Sequence, residues 1–355
     1  MKLFQCTCCK NAVFFENSQC IHCENALAYL PQAQKMITAS NGSFEYPKDS
    51  DAQYVYCVNH EHQACNWLVK KEEENIGKKF CVACQLNHTI PNLTKKKNLR
   101  QWRKIEGAKH RLIYSLQRFN LPLNINKNGE DLALSFDFLA PQKIKGEIKP
   151  VMTGHLHGLI TINIKEANAV HRESMKEQMK ERYRTVLGHF RHEVGHFYWE
   201  VLIRGNSDNN EAFTTLFGDA NQDYGEALQE YYKNGAAKNW RETYISKYAS
   251  SHPWEDWAET WAHYMHIIDT LETAYSFGIK TRPKVGKNAQ MDTEIDFDPY
   301  LEQDFSKIIN RYIKLTFALN SLNRSMGQPD LYAFVLTAMD IEKLKFVHKV
   351  ILKNQ

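Results

Sequence analysis

The chain has 355 residues, of which 43% are hydrophobic, and its 45 basic residues exceed its 41 acidic ones to leave a formal net charge of +4. A charge this small gives little support to a nucleic-acid partner, and no apolar run reaches the roughly 18–20 residues of a membrane-spanning helix. The N-terminus lacks the apolar core of a signal peptide, so we expect a cytoplasmic protein without a membrane partner.

The first cysteine cluster predicts a zinc ribbon. All 9 cysteines lie at or before residue 84, and CxxC pairs in a cytosolic chain more often bind metal than form disulfides. Two such pairs, Cys6 with Cys9 and Cys20 with Cys23, can hold one zinc ion through four thiolates. Cys8 is then the spare, although it could replace Cys6 or Cys9 as a ligand.

A second cysteine cluster contains only one CxxC pair. It predicts a second structural zinc site with the ligands Cys57, Cys65, Cys81 and Cys84. Three nearby histidines are competing ligands: His60, His62 and His88. Buried free thiols or a redox pair are the alternative. Because so small a segment cannot be stabilised by core burial alone, metal is expected to supply much of its folding energy.

The next segment, from Thr94 to Leu123, opens with a basic stretch and then has apolar residues at helical spacing. Its basic face could touch nucleic acid, but we expect a solvated helix face. Residues 132–140 and 158–164 are predicted strands, and the segment between them carries Pro and Gly as a turn would. From Glu166 to about Ile203 the chain lacks proline, which predicts one or two long helices.

The second part of this helical stretch contains HEVGH, residues 192–196. The i, i+4 spacing places His192 and His196 on one helix face, one turn apart, where both can reach a single ion. Glu193 lies beside them and could take a proton from an attacking water. This pattern is typical of a catalytic zinc site. His189, one turn earlier, is expected to be a packed residue.

A hydrolytic zinc needs a third protein ligand. Asp219 and Asp223 are candidates, but Glu255 in SHPWEDWAETWAHYMH is the stronger one. A helix that starts at Pro253 puts Glu255 and Glu259 one turn apart. Glu255 could then bind zinc while Glu259 accepts the ring N–H of a ligating histidine. The alternative is a plain amphipathic helix whose acidic first turn satisfies the helix dipole.

Tyr248 lies seven residues before Glu255, close enough to offer its phenol to the scissile carbonyl. The order HEVGH, then Y-x6-E-x-x-A-E from Tyr248 to Glu259, resembles the gluzincin-type peptidases related to anthrax lethal factor. In those peptidases the first glutamate of the second motif ligates zinc and the tyrosine assists catalysis. The resemblance therefore implies these roles for Glu255 and Tyr248.

A longer resemblance links the chain to a bacterial family of zinc-binding metallopeptidases with an N-terminal zinc ribbon. Its phrases extend over nearly the whole chain: CNWL, YRTVLGHFRHEVGHFYW, LFGD, YASSHPWEDWAETWAHYMHI and LNSLNRSMGQPDLYAFVL. The family name records an inferred activity, so the resemblance says more about architecture than about substrate. It implies a metal-binding role for His192 and His196 and a catalytic role for Glu193.

These patterns predict an α+β protein: a mostly helical zincin-type metallopeptidase domain with a small strand region, preceded by a cysteine-rich zinc-ribbon region. Residues 1–92 are the predicted zinc-ribbon region, with zinc sites within about 1–35 and 50–92. Residues 93–280 are the predicted HExxH metallopeptidase domain. Residues 281–355 are predicted to form a C-terminal helical extension packed on it.

The leading hypothesis is a zinc metallopeptidase with one catalytic and two structural zinc ions and a protein or peptide substrate. The zinc-ribbon region could bind a protein partner. One alternative is a nucleic-acid- or protein-binding module with a non-catalytic HExxH domain, which Glu193 disfavours because a structural zinc needs no general base. The other is a zinc hydrolase of a non-peptide amide, which would use the same residues in the same roles.

Overall fold

The computed structural model describes residues 2–39, 42–46, 49–71, 79–127, 130–144, 147–149, 151, 153–179, 184–285 and 289–354. The chain forms two compact units, residues 1–114 with 134–175 and residues 115–133 with 176–355. Strands are concentrated in the first unit and helices in the second, which confirms the predicted α+β class. The predicted domain boundaries after residues 92 and 280 stay predictions. Within the described residues, no helix is long and apolar enough to cross a membrane.

The strands and helices are numbered in chain order. The strands are β1 (Phe4–Gln5), β2 (Ala12–Val13), β3 (Leu27–Leu30), β4 (Lys35–Thr38), β5 (Phe44–Tyr46), β6 (Asp49–Tyr56), β7 (Leu68–Lys70), β8 (Asn87–Thr89), β9 (Asn124–Lys127), β10 (Glu130–Ala133), β11 (Ser135–Leu139), β12 (Gln142–Ile144), β13 (Glu147–Lys149), β14 (Gly154–Leu156), β15 (Leu159–Asn163), β16 (Lys280–Thr281) and β17 (Thr293–Glu294). The α-helices are α1 (Lys96–Arg118), α2 (Ala169–Met179), α3 (Val186–Leu202), α4 (Ser207–Phe217), α5 (Tyr224–Asn234), α6 (Trp240–Thr243), α7 (Pro253–Ser276), α8 (Phe305–Ser325) and α9 (Ala338–Leu352).

The largest sheet of the first unit has the strand order β14-β15-β11-β8. Strand β11 runs parallel to both β15 and β8, and β14 pairs antiparallel with β15. Alternate residues of β11 and β15 are buried, as expected for strands with one face in the core. The strand predicted at 158–164 is thereby confirmed as β15, while the stretch predicted at 132–140 contains β11 and, at its start, the end of β10, which pairs with β9 in a separate sheet.

The segment between those strands differs from its prediction as a turn. It contains the antiparallel pair β12-β13 and then β14. The sequences QKI and EIK of β12 and β13 are short, polar and without clear apolar alternation, so they carry little of the periodic signal that identifies a strand. Their strand conformation comes instead from the backbone pairing of β12 with β13.

An aromatic cluster forms the core of the first unit around its zinc-ribbon strands. Phe15 packs edge-on against Tyr29 and Tyr114, with ring centroids 4.9 and 5.3 Å apart, and Tyr29 contacts Trp67 at 4.9 Å. All four rings are buried. Burying each such side chain contributes roughly 1.5–3 kcal/mol, with about 0.5–1.5 kcal/mol more for a favourable aromatic pair.

Helix α7 is the central helix of the second unit and begins where the sequence predicts. The His252 ring accepts the backbone N–H of Trp254 at 3.0 Å, and Pro253 occupies the first turn, where its missing N–H costs nothing. Helices α3, α8 and α9 all pack against α7. Of the long helical stretch predicted to end near Ile203, the structure contains α2 and α3, while residues 180–183 lie outside the described residues.

Two buried ion pairs join α7 to its neighbours. Arg191 of α3 pairs with Asp269, whose carboxylate also accepts the Ser115 hydroxyl at 3.1 Å. Lys343 of α9 lies 2.6 Å from Asp256. Burial raises the pKa of Asp256 to about 7 although Lys343 opposes the shift. Because breaking one partner of a buried pair leaves an uncompensated charge, these contacts fix where the helices sit around α7.

Helices α3 and α7 lie close together at Gly195, the fourth residue of HEVGH. A Cβ placed on Gly195 would lie 3.0 Å from the Ala258 Cα atom and 3.3 Å from its carbonyl oxygen. The indole N–H of Trp257 donates to the Gly195 carbonyl at 2.8 Å. Glycine is therefore favoured here, because any larger residue would force the facing backbone to shift, and a backbone yields less easily than a flexible side chain.

We expect Gly195→Ala to destabilise the second unit by about 1–3 kcal/mol, because the added methyl forces the two helices apart. Denaturant unfolding of the full chain measures this change. Gly107→Ala in helix α1 is the matched control, since a Cβ there meets nothing within 4 Å. Alanine should stabilise that position by about 0.5–1 kcal/mol. Equal effects of the two substitutions would contradict the packing role of Gly195.

Candidate metal centres

The first cysteine cluster brings Cys6, Cys9, Cys20 and Cys23 together, with all four sulfur atoms within 4.8 Å of one another. The Cys6 and Cys23 sulfurs are 3.7 Å apart, and those of Cys9 and Cys20 are 3.6 Å apart. Four thiolates at such spacing are the donor set of a structural zinc site. Cys8 is exposed and does not belong to the group.

The two CxxC segments of this cluster have the same backbone geometry. The N–H of Lys10 donates to the Cys6 carbonyl at 3.1 Å, and the N–H of Glu24 donates to the Cys20 carbonyl at 2.9 Å. Both donor residues have positive φ angles, 64° and 57°. A side-chain hydrogen bond from Asn11 lowers the pKa of the Cys9 thiol to about 5, which favours the thiolate that zinc requires.

The second cluster also forms as predicted from its spacing, with the sulfur atoms of Cys57, Cys65, Cys81 and Cys84 within 4.8 Å of one another and all four residues buried. Backbone N–H groups reach two of the sulfurs: Trp67 donates to Cys65 and Cys81 donates to Cys57, both at 3.3 Å. Such N–H···S contacts stabilise buried thiolates.

The three histidines considered as competing ligands lie elsewhere. The Nδ1 atom of His60 is 2.9 Å from the Cys65 carbonyl oxygen, and that of His88 is 2.8 Å from Asp137. His62 lies 3.4 Å from Glu61. These histidines therefore contact neighbouring polar groups and do not belong to the group of four cysteines.

Sequence reasoning missed two residues beside the second cluster. The Nε2 atom of His110 lies 3.7 Å from the Cys84 sulfur, and a carboxylate oxygen of Glu106 lies 3.9 Å from it. Both side chains belong to α1 and are buried. The Nζ atom of Lys109 forms an ion pair with Glu106 Oε2 at 2.9 Å. The i, i+4 spacing of Glu106 and His110 was visible in the sequence, but nothing local indicated that this face turns toward the cysteines.

The third group unites the histidines of HEVGH with Glu255. His192 Nε2 is 3.0 Å from Glu255 Oε2, and His196 Nε2 is 3.5 Å from Glu255 Oε1. The Glu255 side chain is only 1% exposed. Two imidazole nitrogens and one carboxylate are the protein ligands of many catalytic zinc ions, in which a fourth position stays open. The donor set therefore fits zinc.

The two aspartates considered as third ligands serve the backbone instead. Asp223 accepts the N–H of Glu226 at 2.8 Å and caps the start of α5. Asp219 accepts the N–H of Asn221 at 2.9 Å within a turn. Neither belongs to the group that contains His192 and His196.

Glu259 orients one of the histidines. Its Oε1 atom lies 2.8 Å from Nδ1 of His192, so the ring donates there and directs Nε2 toward Glu255. Burial alone would raise the pKa of the Glu255 carboxyl, but the imidazoles of His196 and His192 hold it well below its usual range. Burial also raises the pKa of Glu193, and here it outweighs the opposing effect of both histidines.

Two tyrosines lie beside this group. Tyr248, in the short turn before α7, has its ring centroid 5.9 Å from that of His192, and burial raises its pKa far above the usual value. Tyr224, which sequence reasoning missed, donates its hydroxyl to Glu255 Oε1 at 2.6 Å. Its segment was considered only as a source of carboxylate ligands, and no spacing rule connects a tyrosine to a glutamate 31 residues later.

Comparison with known proteins agrees with this geometry. Residues 98–350 match the family described as "putative zinc-binding metallo-peptidase", and residues 3–95 match a zinc-ribbon domain. Uncharacterized proteins of Mycobacterium bovis and Mycobacterium tuberculosis are 37% identical over 357 residues, which cover 99% of this chain and 95% of each relative. No solved structure matches the chain. These matches confirm the resemblance that the sequence phrases indicated.

We expect three zinc ions per chain, one in each group described above, counted by native mass spectrometry. His192→Ala should lower the count by one, because it removes one of only three ligands. Cys65→Ser should also lower it by one and loosen the first unit, since metal contributes directly to the folding of such sites. Cys8→Ser is the control and should retain all three ions. An unchanged count in His192→Ala would contradict the third site.

Proposed function

The chain belongs to the family of zinc-binding metallo-peptidases, and we propose that it hydrolyses peptide bonds in a protein or peptide substrate. One observation carries the proposal: His192, His196 and Glu255 meet in a buried group, and Glu193 is the residue that follows the first histidine. This donor set provides three ligands, whereas each cysteine cluster provides four. An ion in the third group therefore keeps a position for water or substrate.

A zinc ion at this site would act as a Lewis acid and make a bound water more acidic. The protein's own groups would move the protons. Glu193 would take the proton of the attacking water and deliver it to the amine that leaves. Its pKa, raised by burial, brings this carboxylate closer to the neutral range in which a general base works best.

Tyr248 would stabilise the negative charge that develops on the carbonyl oxygen. Burial raises the pKa of its phenol far above the usual range, so the hydroxyl keeps its proton and can donate a hydrogen bond. The ring lies beside His192 in a short turn, and its position depends on the start of helix α7. A donor held before the reaction begins costs no reorganisation during it.

We expect Glu193→Gln to lower turnover by about 10²–10⁴-fold while zinc stays bound, because only the general base is lost. New protein N-termini in lysate of the source organism, treated with wild type or variant, measure the activity. Glu200→Gln on the same helix is the control, since Glu200 pairs with Arg204 at 2.8 Å and does not belong to the group of His192, His196 and Glu255. The proposal fails if wild type and Glu193→Gln produce the same N-termini.

We expect Tyr248→Phe to lower kcat by about 10²–10³-fold, the usual cost of losing one oxyanion donor, with little change in KM. A peptide that spans a cleavage site found in the lysate experiment is the substrate for this assay. Zinc content should equal that of wild type. An unchanged kcat would remove Tyr248 from the mechanism without affecting the role of Glu193.

A further inference from the structure

Helix α5 of the second unit lies at the surface, and none of its residues is buried. Gly235, which caps the end of α5, has a φ angle of +81°, in the region that favours glycine. A helix that contributes no side chain to a core is held only by the few contacts that its edge makes. Its first residue makes the most specific of them.

That residue is Tyr224. Its hydroxyl donates to Glu255 Oε1 at 2.6 Å, and its ring centroid lies 5.3 Å from His252 and 5.7 Å from Trp254. The Trp254 ring in turn lies 4.4 Å from that of His196. An exposed helix thus places one phenol directly against the buried carboxylate of the third group.

The hydrogen bond distinguishes the two oxygens of Glu255. A short O–H···O⁻ contact to a charged carboxylate is among the stronger hydrogen bonds in proteins. Because the hydroxyl of Tyr224 occupies Oε1, the other oxygen, Oε2, is the one free to face an ion beside His192 Nε2 at 3.0 Å.

We propose that Tyr224 is a positioning residue of the metal centre, which fixes the Glu255 carboxylate through a single hydrogen bond from an otherwise exposed helix. The inference rests on the metal-binding part of the proposed function and not on peptide hydrolysis. Groups that hold a metal ligand in this way usually affect metal affinity 10–100-fold. On this proposal, helix α5 contributes to the affinity of the third group for its metal ion and not to the stability of the second unit.

Tyr224→Phe tests the proposal, because it removes the hydroxyl and keeps the ring against His252 and Trp254. Tyr232→Phe is the matched control on the same helix, since Tyr232 is 63% exposed. The measurement is chelator competition for Zn²⁺ by the full-length chain with both cysteine sites loaded. We expect Tyr224→Phe to bind the third zinc about 10–100-fold more weakly, and Tyr232→Phe to bind it like wild type.

A second measurement uses the chain reconstituted with Co²⁺. The visible spectrum of the His–His–Glu site should change in Tyr224→Phe, while the thiolate-to-cobalt bands of the cysteine sites should not. Thermal unfolding of the chain with the third site empty should be the same for Tyr224→Phe and wild type, since no bound ion then contributes to stability. Together these results would place the effect at the metal and not in the fold.

Equal zinc affinity in Tyr224→Phe and wild type would overturn the inference, as would equal losses in Tyr224→Phe and Tyr232→Phe. A loss of kcat without a loss of zinc affinity would also overturn it, because the phenol would then act on the substrate. Failure of the proposed function is seen separately. If wild type and Glu193→Gln yield the same N-termini but Tyr224→Phe still weakens zinc binding, the positioning role stands and peptide hydrolysis does not.

Discussion

Helices α3 and α7 meet backbone to backbone at Gly195, and the geometry of the third metal group depends on that contact. The absence of a side chain lets Ala258 approach so closely that an added Cβ would lie only 3.0 Å from its Cα atom. The crossing places His192 and His196 on one side and Glu255 and Glu259 on the other. A change of about one ångström in helix separation would exceed several-fold the tolerance of about 0.2 Å that a zinc site has in its ligand distances.

The electrostatics of the site follow from this close packing. Glu255 and Glu193 are both buried carboxylates next to the same two histidines, yet their pKa values shift in opposite directions. The imidazoles outweigh burial for Glu255, and the lowered pKa favours the ionised form that its proposed role as a ligand needs. Burial prevails for Glu193, as suits a group that exchanges a proton. Two carboxylates with pKa values pushed apart commonly mark separate roles in one mechanism.

The first unit is stabilised by a different balance. Its sheets are short, and beside the aromatic cluster around Tyr29 it has a separate hydrophobic cluster that includes Ile37, Phe44 and Leu68. The two cysteine clusters bring further segments of this unit together. Helix α1 takes part through Glu106, Lys109 and His110, which lie buried beside Cys84. The basic residues at the start of this helix, Lys96, Lys97 and Arg100, are exposed, whereas Lys109 is buried.

The sequence by itself determined the features that depend only on residues close together in the chain. The i, i+4 histidines, the CxxC pairs and the Pro253 helix start are local, because helix period and chain reach bring those atoms together in any packing. The α+β class and the family resemblance were predictable for the same reason. Only the tertiary structure decided that Glu255 and not Asp219 or Asp223 meets the histidines. It also decided that Tyr224 reaches Glu255 and that His110 reaches Cys84, since contacts between distant segments depend on how the helices pack and leave no periodic trace in the chain.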